Sequence, residues 1–489
     1  MRGVVSQRLR PAVRSRRRVA AVLVLALGPL LGGCFLSPEK PEAGLDIPAT
    51  YRAGPRKADV ALPPDLWWRS FRSGTLTDLI EEALTSNLDI AAAVARIEQA
   101  DAQARIAGAP LLPTVGLAGS GTRSRASQGN GTISTSSSSE RSIYGAFLTA
   151  SYTIDFWGRN RALLCAAEEG AAASRFDKEV IALTTVATVA NTYFQVLAAN
   201  DRLRVARDNL TAASRVLKLI RDRFNAGTAS ELDTAQQESL VNTQRAAIPP
   251  LEQTARQSLA TLAVLIGRAP EHTNIRSGSM SAISIPRVTP GLPSDLLGQR
   301  PDIREAEAQL EAANGNVFAA KAALFPTITL TADGGFQSMA LKTLLRPESA
   351  FFDLTAGLTQ PLLDGWLLQG QLDLTRGRQT ELLQTYRKSV VNAFADVEIA
   401  LIGVQQTALR ERLQADVVKS SRRAFELSES RLREGTIDLV TLLTTQQTLF
   451  QAQDVLAQVR LLRLQAIVSL YQALGGGWGL PEDKPASAL

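Results

Sequence analysis

The chain has 489 residues, a formal charge of +6 and an apolar share of 45%, enough for a sizeable core and two or three ordinary domains. A positive balance suggests an anionic partner such as nucleic acid, but residues 1–33 hold seven arginines and no acid. Setting those arginines aside turns +6 into −1, so the basicity belongs to an address segment and argues for no nucleic-acid partner. One histidine, two cysteines and three methionines exclude multi-histidine metal binding and histidine-dependent catalysis, and no metal site is expected.

The first residues have the build of a secretory signal: a basic stretch ending near Arg18, an apolar run from Val19 to Leu31, then Leu31-Gly32-Gly33-Cys34. The run falls short of the roughly 20 residues that span a bilayer, so residues 1–33 read as a cleaved signal peptide and not an anchor helix. Ser15-Arg16-Arg17-Arg18 imitates a twin-arginine signal, but the residues after it fit poorly. Leu-Gly-Gly-Cys resembles the lipobox of bacterial lipoproteins, which implies that Cys34 is acylated, with a diacylglycerol and an acyl chain, and no other cofactor is expected. Phe35 and Leu36 follow without an aspartate at the second position, which resembles lipoproteins sent on to the outer membrane. Only Cys165 then remains, expected as a small packed thiol in an Ala-rich helix, so no intrachain disulfide can form. His272 reads as an ordinary loop residue.

Residues 34–74 form a Pro-rich tether from the lipid anchor, docked by Trp67, Trp68 and Phe71. A first structural repeat occupies 75–292. Thr75 with Asp78 starts a helix in the capping-box manner, loosened at Asn87 and ended by Pro110 and Pro113. An alternating strand covers Thr114 to Ser120, and a Ser/Gly/Asn-rich loop runs to Ser142. The next strand places Leu148, Ala150, Tyr152, Ile154 and Phe156 on one face and Thr149, Ser151, Thr153 and Asp155 on the other. From Asn160 to Phe224 the pattern is helical, with Leu183, Ala187, Ala190, Phe194 and Leu197 in the 4-3 spacing of a coiled-coil seam. Asn225-Ala226-Gly227-Thr228 turns the chain, and a return helix from Glu231 is interrupted at Pro249-Pro250 and ends at Gly267.

The plan then repeats over 293–474, before a tail at 475–489. Asp89 to Val115 laid on Asp302 to Ile328 gives eleven identities in twenty-seven positions, which identifies an internal duplication. Strands are expected at 327–336 and 351–361. A second long helix carries the seam Val390, Phe394, Val397, Leu401, Val404, Ala408, turns at Gly435-Thr436, and returns from Asp438 to about Leu474, where Gly475-Gly476-Gly477 stops it.

Four short strands beside helices that spend their seams on each other leave lipid as the solvent for the apolar strand faces. A bilayer tolerates strands only in a closed barrel. About eight strands are needed to close around even a filled interior, so several copies must pool four strands each. The fold class expected is mostly α with a membrane β segment.

At this point the chain resembles the TolC-like outer-membrane efflux ducts, and specifically their lipidated, NodT-type subgroup that serves resistance-nodulation-division pumps. The marks are Trp67-Trp68 with Phe71, Tyr152 to Arg159, Leu292 to Leu297 with Arg300 to Arg304, and Leu470 to Trp478. The resemblance implies a homotrimer, a 12-stranded outer-membrane barrel and a coiled-coil helical tunnel through the periplasm. An equatorial band interrupts that tunnel, and Pro249-Pro250 and the chain's C-terminal end fall there. It implies a periplasmic adaptor (membrane fusion protein) and an inner-membrane pump as partners, outer-membrane lipid as surroundings, and no enzymatic activity. Thr149, Ser151, Thr153, Thr329, Thr331, Thr355 and Thr359 would line the lumen. Ile328, Leu330, Leu354 and Leu358 would meet lipid. Gly227, Thr228, Gly435 and Thr436 are the hairpin tips expected to dock the adaptor.

In such ducts side chains just after the second hairpin narrow the far end. Counting from Gly435, Val440 is the apolar gate position, while Thr444 and Gln447 stand where the family often has an acid and a base, which argues against a charged ring here. Asp438 is the nearest carboxylate on that side, and Asp233 is its counterpart on the first hairpin. A duct for small toxic compounds is the reading carried forward. A protein or peptide secretion duct or a metal-ion duct are alternatives in the same class, and a lipid-anchored periplasmic coiled-coil scaffold is the rival in another. The scaffold has no use for four two-faced strands.

Overall fold

The structure, a computed structural model, describes residues 44–45, 47–48, 50–54, 64, 66–125, 140–272, 278–288 and 290–476. The signal segment, Cys34, most of the Pro-rich tether, most of the Ser/Gly-rich loop and Trp478 lie outside the described residues. The elements in chain order are a 3-10 turn Trp67–Phe71, helices α1 Gly74–Ser86 and α2 Leu88–Gly108, strands β1 Thr114–Arg125 and β2 Glu140–Ile154, and helices α3 Arg159–Asn225, α4 Glu231–Ala246 and α5 Ile248–Leu265. After the loop come α6 Pro293–Gln299, α7 Pro301–Ala322, β3 Thr327–Ser338, β4 Ala350–Thr359, α8 Leu367–Arg433 and α9 Leu439–Ala473. The duplication is visible in the lengths: α3 and α8 have 67 residues each, about 100 Å at 1.5 Å per residue.

The described residues divide into two compact units, one within 106–166 and 313–379 and the other within 44–105, 167–312 and 380–476. The first holds the sheet. Its order is β1-β2-β3-β4 with every pair antiparallel, so β1 and β4 are edges. The first two strands are longer than the alternation alone marks: β1 reaches Arg125, and β2 begins at Glu140 within the stretch expected to be loop. The registers put like with like. One row across the sheet is Thr114, Ser151, Thr331, Thr355, and the neighbouring row is Val115, Ala150, Ala332, Leu354. Since directly opposed residues share a face, the sheet has one hydroxyl-rich and one apolar side across these rows.

In the second unit most seam positions are buried, while Leu183, Phe394, Val404 and Ala408 are half-buried. Ala187, Ala190, Phe194 and Leu197 lie in a core with Trp67, Phe71 and Leu76, and Val390, Val397 and Leu401 lie in another with Leu296 and Ile303. Trp67 stacks on Tyr471 with ring centroids 4.8 Å apart, and Trp67, Trp68 and Phe71 are all buried. Four local details differ from the sequence reading. Ser73, not Thr75, caps α1, its hydroxyl accepting the Leu76 N–H at 3.2 Å. Asn87 does more than loosen a helix: its Oδ1 accepts the Asp89 and Ile90 amides and caps α2, while its Nδ2 donates to the Leu265 carbonyl at 2.9 Å. Pro249 and Pro250 open α5, where their missing N–H groups cost nothing, so the interruption is a restart in a new helix. Cys165 is exposed on α3 and not packed.

Candidate functional site

Both hairpin tips are built the same way. At the first, Gly227 has φ +74°, its N–H bonds the Phe224 carbonyl and the Thr228 N–H bonds the Arg223 carbonyl at 2.9 Å. At the second, Gly435 has φ +73°, with bonds to Leu432 and from Thr436 to Arg431 at 2.9 Å. These are Schellman closures, which demand a left-handed residue and select glycine. Each threonine hydroxyl adds a bond to the same carbonyl, Thr228 to Arg223 and Thr436 to Arg431. All four tip residues are exposed.

Asp233 and Asp438 hold the starts of the return helices. Ser230 and Asp233 form a reciprocal capping box on α4. Asp438 caps α9, accepting the Thr441 N–H at 2.8 Å, and bonds from the Thr441 hydroxyl and amide hold its carboxyl below the usual range. The tips are also tied side to side: the Arg223 Nη1 donates to the Leu432 carbonyl at 2.8 Å and Arg215 pairs with Glu429 at 3.1 Å.

Val440, Thr444 and Gln447 come together as one stripe of α9 along a groove of about 820 Å³. The opposite wall is α3 with Asn209 and α4 with Gln236, Leu240 and Thr243. Val440 is 57% exposed, so within one chain its side chain is largely uncovered. Arg202 and Asp454 at the groove's edge form a two-pronged pair at 2.6 and 3.1 Å. Beneath the stripe lies a pair that sequence reasoning missed. Gln237 and Gln446 are both fully buried, the Gln237 amide nitrogen donating to the Ala213 carbonyl at 2.9 Å and to the Gln446 oxygen at 3.3 Å. Neither had a sequence signal beyond an apolar-looking position filled by an amide.

On the sheet, Thr149, Ser151, Thr153, Thr329, Thr331, Thr355 and Thr359 all fall on the hydroxyl-rich face, which also carries Asp333 opposite Asp353. Ile328, Leu330, Leu354 and Leu358 fall on the other, with Leu354 75% and Leu358 70% exposed. Phe156, read as part of that apolar face, lies beyond the end of β2 and packs edge-on against Trp157 instead. The polar face has an unforeseen interruption. Phe147 and Phe351 flank Gly335 on it, their rings 6.1 Å apart and inclined at 65°. A Cβ at residue 335 would run into the Ala146 carbonyl and Phe147, so only glycine fits between the two rings. Among the described residues no group of His, Cys, Asp and Glu is placed to hold a metal.

The model of the outer membrane efflux protein family matches residues 79–268 and 292–476, one segment in each half of the duplication. A pyoverdine export outer membrane protein of Pseudomonas aeruginosa, OpmQ, is 42% identical over 453 residues, covering 92% of this chain and 95% of its own. The toluene efflux pump outer membrane protein TtgC of Pseudomonas putida is 32% identical over 457 residues, covering 92% and 94%. Among solved structures the outer-membrane channel OprN superposes with a TM-score of 0.85 at 25% identity over 91% of this chain and 99% of its own. The Campylobacter jejuni CmeC outer membrane channel gives a TM-score of 0.86 at 23% identity, over 92% and 96%. With a helical body, a two-faced four-stranded sheet and a family match in both repeats, the chain belongs to the outer membrane efflux protein family, whose members are channels of that membrane.

Proposed function

We propose that three copies of the chain form one passive exit duct that serves a periplasmic adaptor and an inner-membrane pump. The observation that carries this is the sheet: its polar and apolar rows continue across all four strands, yet both edges are open. Open edges are not tolerated in hydrocarbon, and three four-stranded shares make a barrel wide enough to enclose water. The seven hydroxyl residues then line the lumen, and the Leu354 face meets lipid. Cys34 carries the lipid anchor at the end of a cleaved signal, with 34–74 as tether, 75–292 and 293–474 as the two repeats and 475–489 as tail.

The exposed Gly-Thr tips, identical in geometry, are the docking surface for the adaptor. Val440, Thr444 and Gln447 narrow the periplasmic end, while Asp438 and Asp233 fix the helices that carry them. Opening shifts a population toward a wider tip when partners favour it. The protein does no chemistry. Its cargo is small molecules handed on by the pump, and the 42% identity with a pyoverdine export protein supports an exported small molecule of that kind beside toxic compounds.

The test is mass in detergent together with planar-bilayer conductance. A trimer whose conductance rises on Val440→Ser is expected. A monomer that stays silent even as that variant overturns the reading. Cys34→Ser should abolish lipid labelling and leave trimers intact, and persistent labelling would refute the anchor.

A further inference from the structure

The apolar face of the sheet changes character once along its height. On β2 it runs Ile154, Tyr152, Ala150, Leu148, Ala146, Tyr144, and the residues in the same rows of β3 and β4 are apolar or glycine as far as Phe336 and Ala350. A strand rises about 3.4 Å per residue and barrel strands tilt about 40°, so the stretch from Ile154 to Tyr144 climbs about 26 Å, against about 25 Å for the apolar band of an outer-membrane barrel. Tyr144, Phe336 and Phe352 mark its upper end, as aromatic girdles do. The helices all join the sheet at the other end: α2 precedes Thr114, α3 follows Ile154, α7 precedes Thr327 and α8 follows Thr359. With the helical body in the periplasm, the Tyr144 end faces the outer leaflet.

Beyond Tyr144 the same face turns basic. Arg123 stands opposite Ser142 and Arg125 opposite Glu140, about 5 and 10 Å above the tyrosine row by the same rise and tilt. A headgroup layer is about 5–7 Å thick, so both guanidinium groups lie at its level. Glu140 is the acid between them, accepting from Arg123 at 2.5 Å and lying 4.0 Å from Arg125. Two exposed cations thus share one carboxylate, and the pair keeps a positive balance.

The turn between β3 and β4 adds two more cations. Ser338, in the row of Tyr144, bonds the Thr343 hydroxyl at 2.5 Å and accepts the Ala340 N–H at 3.3 Å, which holds the turn on the lipid-facing rim. Lys342 and Arg346 on this turn are exposed, and no described carboxylate pairs with either. Beside them Met339 and Leu341 are each 67% exposed and Leu345 75%. Water solvates the cations but not the three apolar side chains, whereas an anionic amphiphile satisfies both.

From this we infer that the rim is a docking surface for a phosphorylated glycolipid of the outer leaflet. Arg123, Arg125, Lys342 and Arg346 take its phosphate groups, for which the arginine fork is the matching shape, and Met339, Leu341 and Leu345 meet its acyl chains. A turn folded over the lumen would meet its own copies instead, and Lys342 and Arg346 of each copy would then crowd like charges at the barrel axis. On the outward side anionic lipid neutralises them. The inference rests on the barrel proposed above, because only a membrane-spanning sheet brings this rim to headgroup level.

The experiment takes the full-length protein in detergent, with a chelator of divalent cations, titrates it with diphosphoryl lipid A and counts bound lipid by native mass spectrometry. Arg123→Gln with Arg125→Gln, and Lys342→Gln with Arg346→Gln, each remove two cations, and near an anionic surface a cation is worth about five-fold in affinity. Each pair should weaken binding roughly 25-fold and the quadruple variant should abolish it, with the oligomeric mass unchanged. Glu140→Gln frees both arginines and should tighten binding, a gain that a damaged fold does not produce. Lipid A stripped of its phosphates should bind every variant equally weakly. Wild-type affinity in the quadruple variant, or equal affinity for the stripped lipid, would overturn the inference while leaving the oligomer intact. Displacement of the lipid by inorganic phosphate at matched concentration would overturn it in favour of a small-anion site. Unchanged lipid binding with raised planar-bilayer conductance in Leu341→Ser with Leu345→Ser would place the turn over the lumen and overturn it as well. A monomeric mass would overturn the barrel reading itself.

Discussion

Gly476 has φ +58°, and a Cβ there would collide with Leu183 and approach the Trp67 indole at 3.4 Å. Gly475, at φ +87°, would bring a Cβ to 2.6 Å from the Gln299 carbonyl. Gly435 is equally left-handed, but a Cβ there meets open space. The two positions separate strain from collision. Gly435→Ala should cost on the order of 1 kcal/mol, the penalty of left-handed backbone alone. Gly475→Ala should cost clearly more, because the obstructing atom is the Gln299 backbone carbonyl, which cannot turn aside as the end of the Leu183 side chain can at Gly476. Thermal unfolding of the helical signal in detergent ranks them, and equal shifts would contradict the close contact. A second residue-scale effect concerns charge. Burial, and then the nearby Asp177 and Asp302 carboxylates, push the Glu305 carboxyl above its ordinary range. The folded state therefore binds this proton more tightly than the unfolded chain does. Its charged form costs stability above the folded value, and that cost is relieved as pH falls toward the ordinary glutamate range. Glu305→Gln, which can still accept from Gln309, should raise the melting temperature at neutral pH and flatten its dependence in that window. An unchanged pH profile would count against it.

Helices were easier to read than their ends. The seams through Ala190 and Val397 repeat over many turns, so a single misplaced residue cannot hide them, and both are buried. Caps depend on one hydroxyl. Thr75 and Asp78 satisfy the capping pattern in letters, yet Ser73 does the capping, because Thr77 can bond the Ser73 carbonyl and extend the helix backward. The sheet faces followed from alternation, whereas Phe147 and Phe351 did not, since two aromatics on a polar face are visible as neighbours only once Gly335 sets the register between them. The Gln237–Gln446 pair was equally hidden, being 209 residues apart in sequence. It gives a prediction for the α4–α9 packing. Gln237→Leu alone strands the Gln446 amide in a dry site and should cost about 1–3 kcal/mol. Adding Gln446→Leu should recover most of that loss, since removing both polar partners can be nearly neutral. Chemical unfolding of the double-mutant cycle in detergent reads the coupling, and additive losses would mean the pair is solvated.

At the scale of the whole molecule, the sheet must sort two solvents, and adjacent rows make the sharpest comparison. Leu354 sits in the row of Val115, Ala150 and Ala332, and Thr355 in the row of Thr114, Ser151 and Thr331, one residue further along the same strand. Both positions are exposed in the single chain, so packing within it does not distinguish them. A bilayer does. An arginine on the lipid side of a barrel strand costs about 2–4 kcal/mol near the midplane and less toward the interfaces. The same arginine on the lumen side stays in water and changes only the charge of the pore. Leu354→Arg should therefore reduce the amount of protein folded in the outer membrane, while Thr355→Arg should insert normally and lower single-channel conductance for cations. Membrane-impermeant maleimide adds an independent reading: cysteines at Thr329, Thr331, Thr355 and Thr359 should label, and those at Ile328, Leu330, Leu354 and Leu358 should resist. If both arginine variants insert equally well, the apolar face does not meet hydrocarbon, and the four strands form a water-exposed sheet of a periplasmic protein.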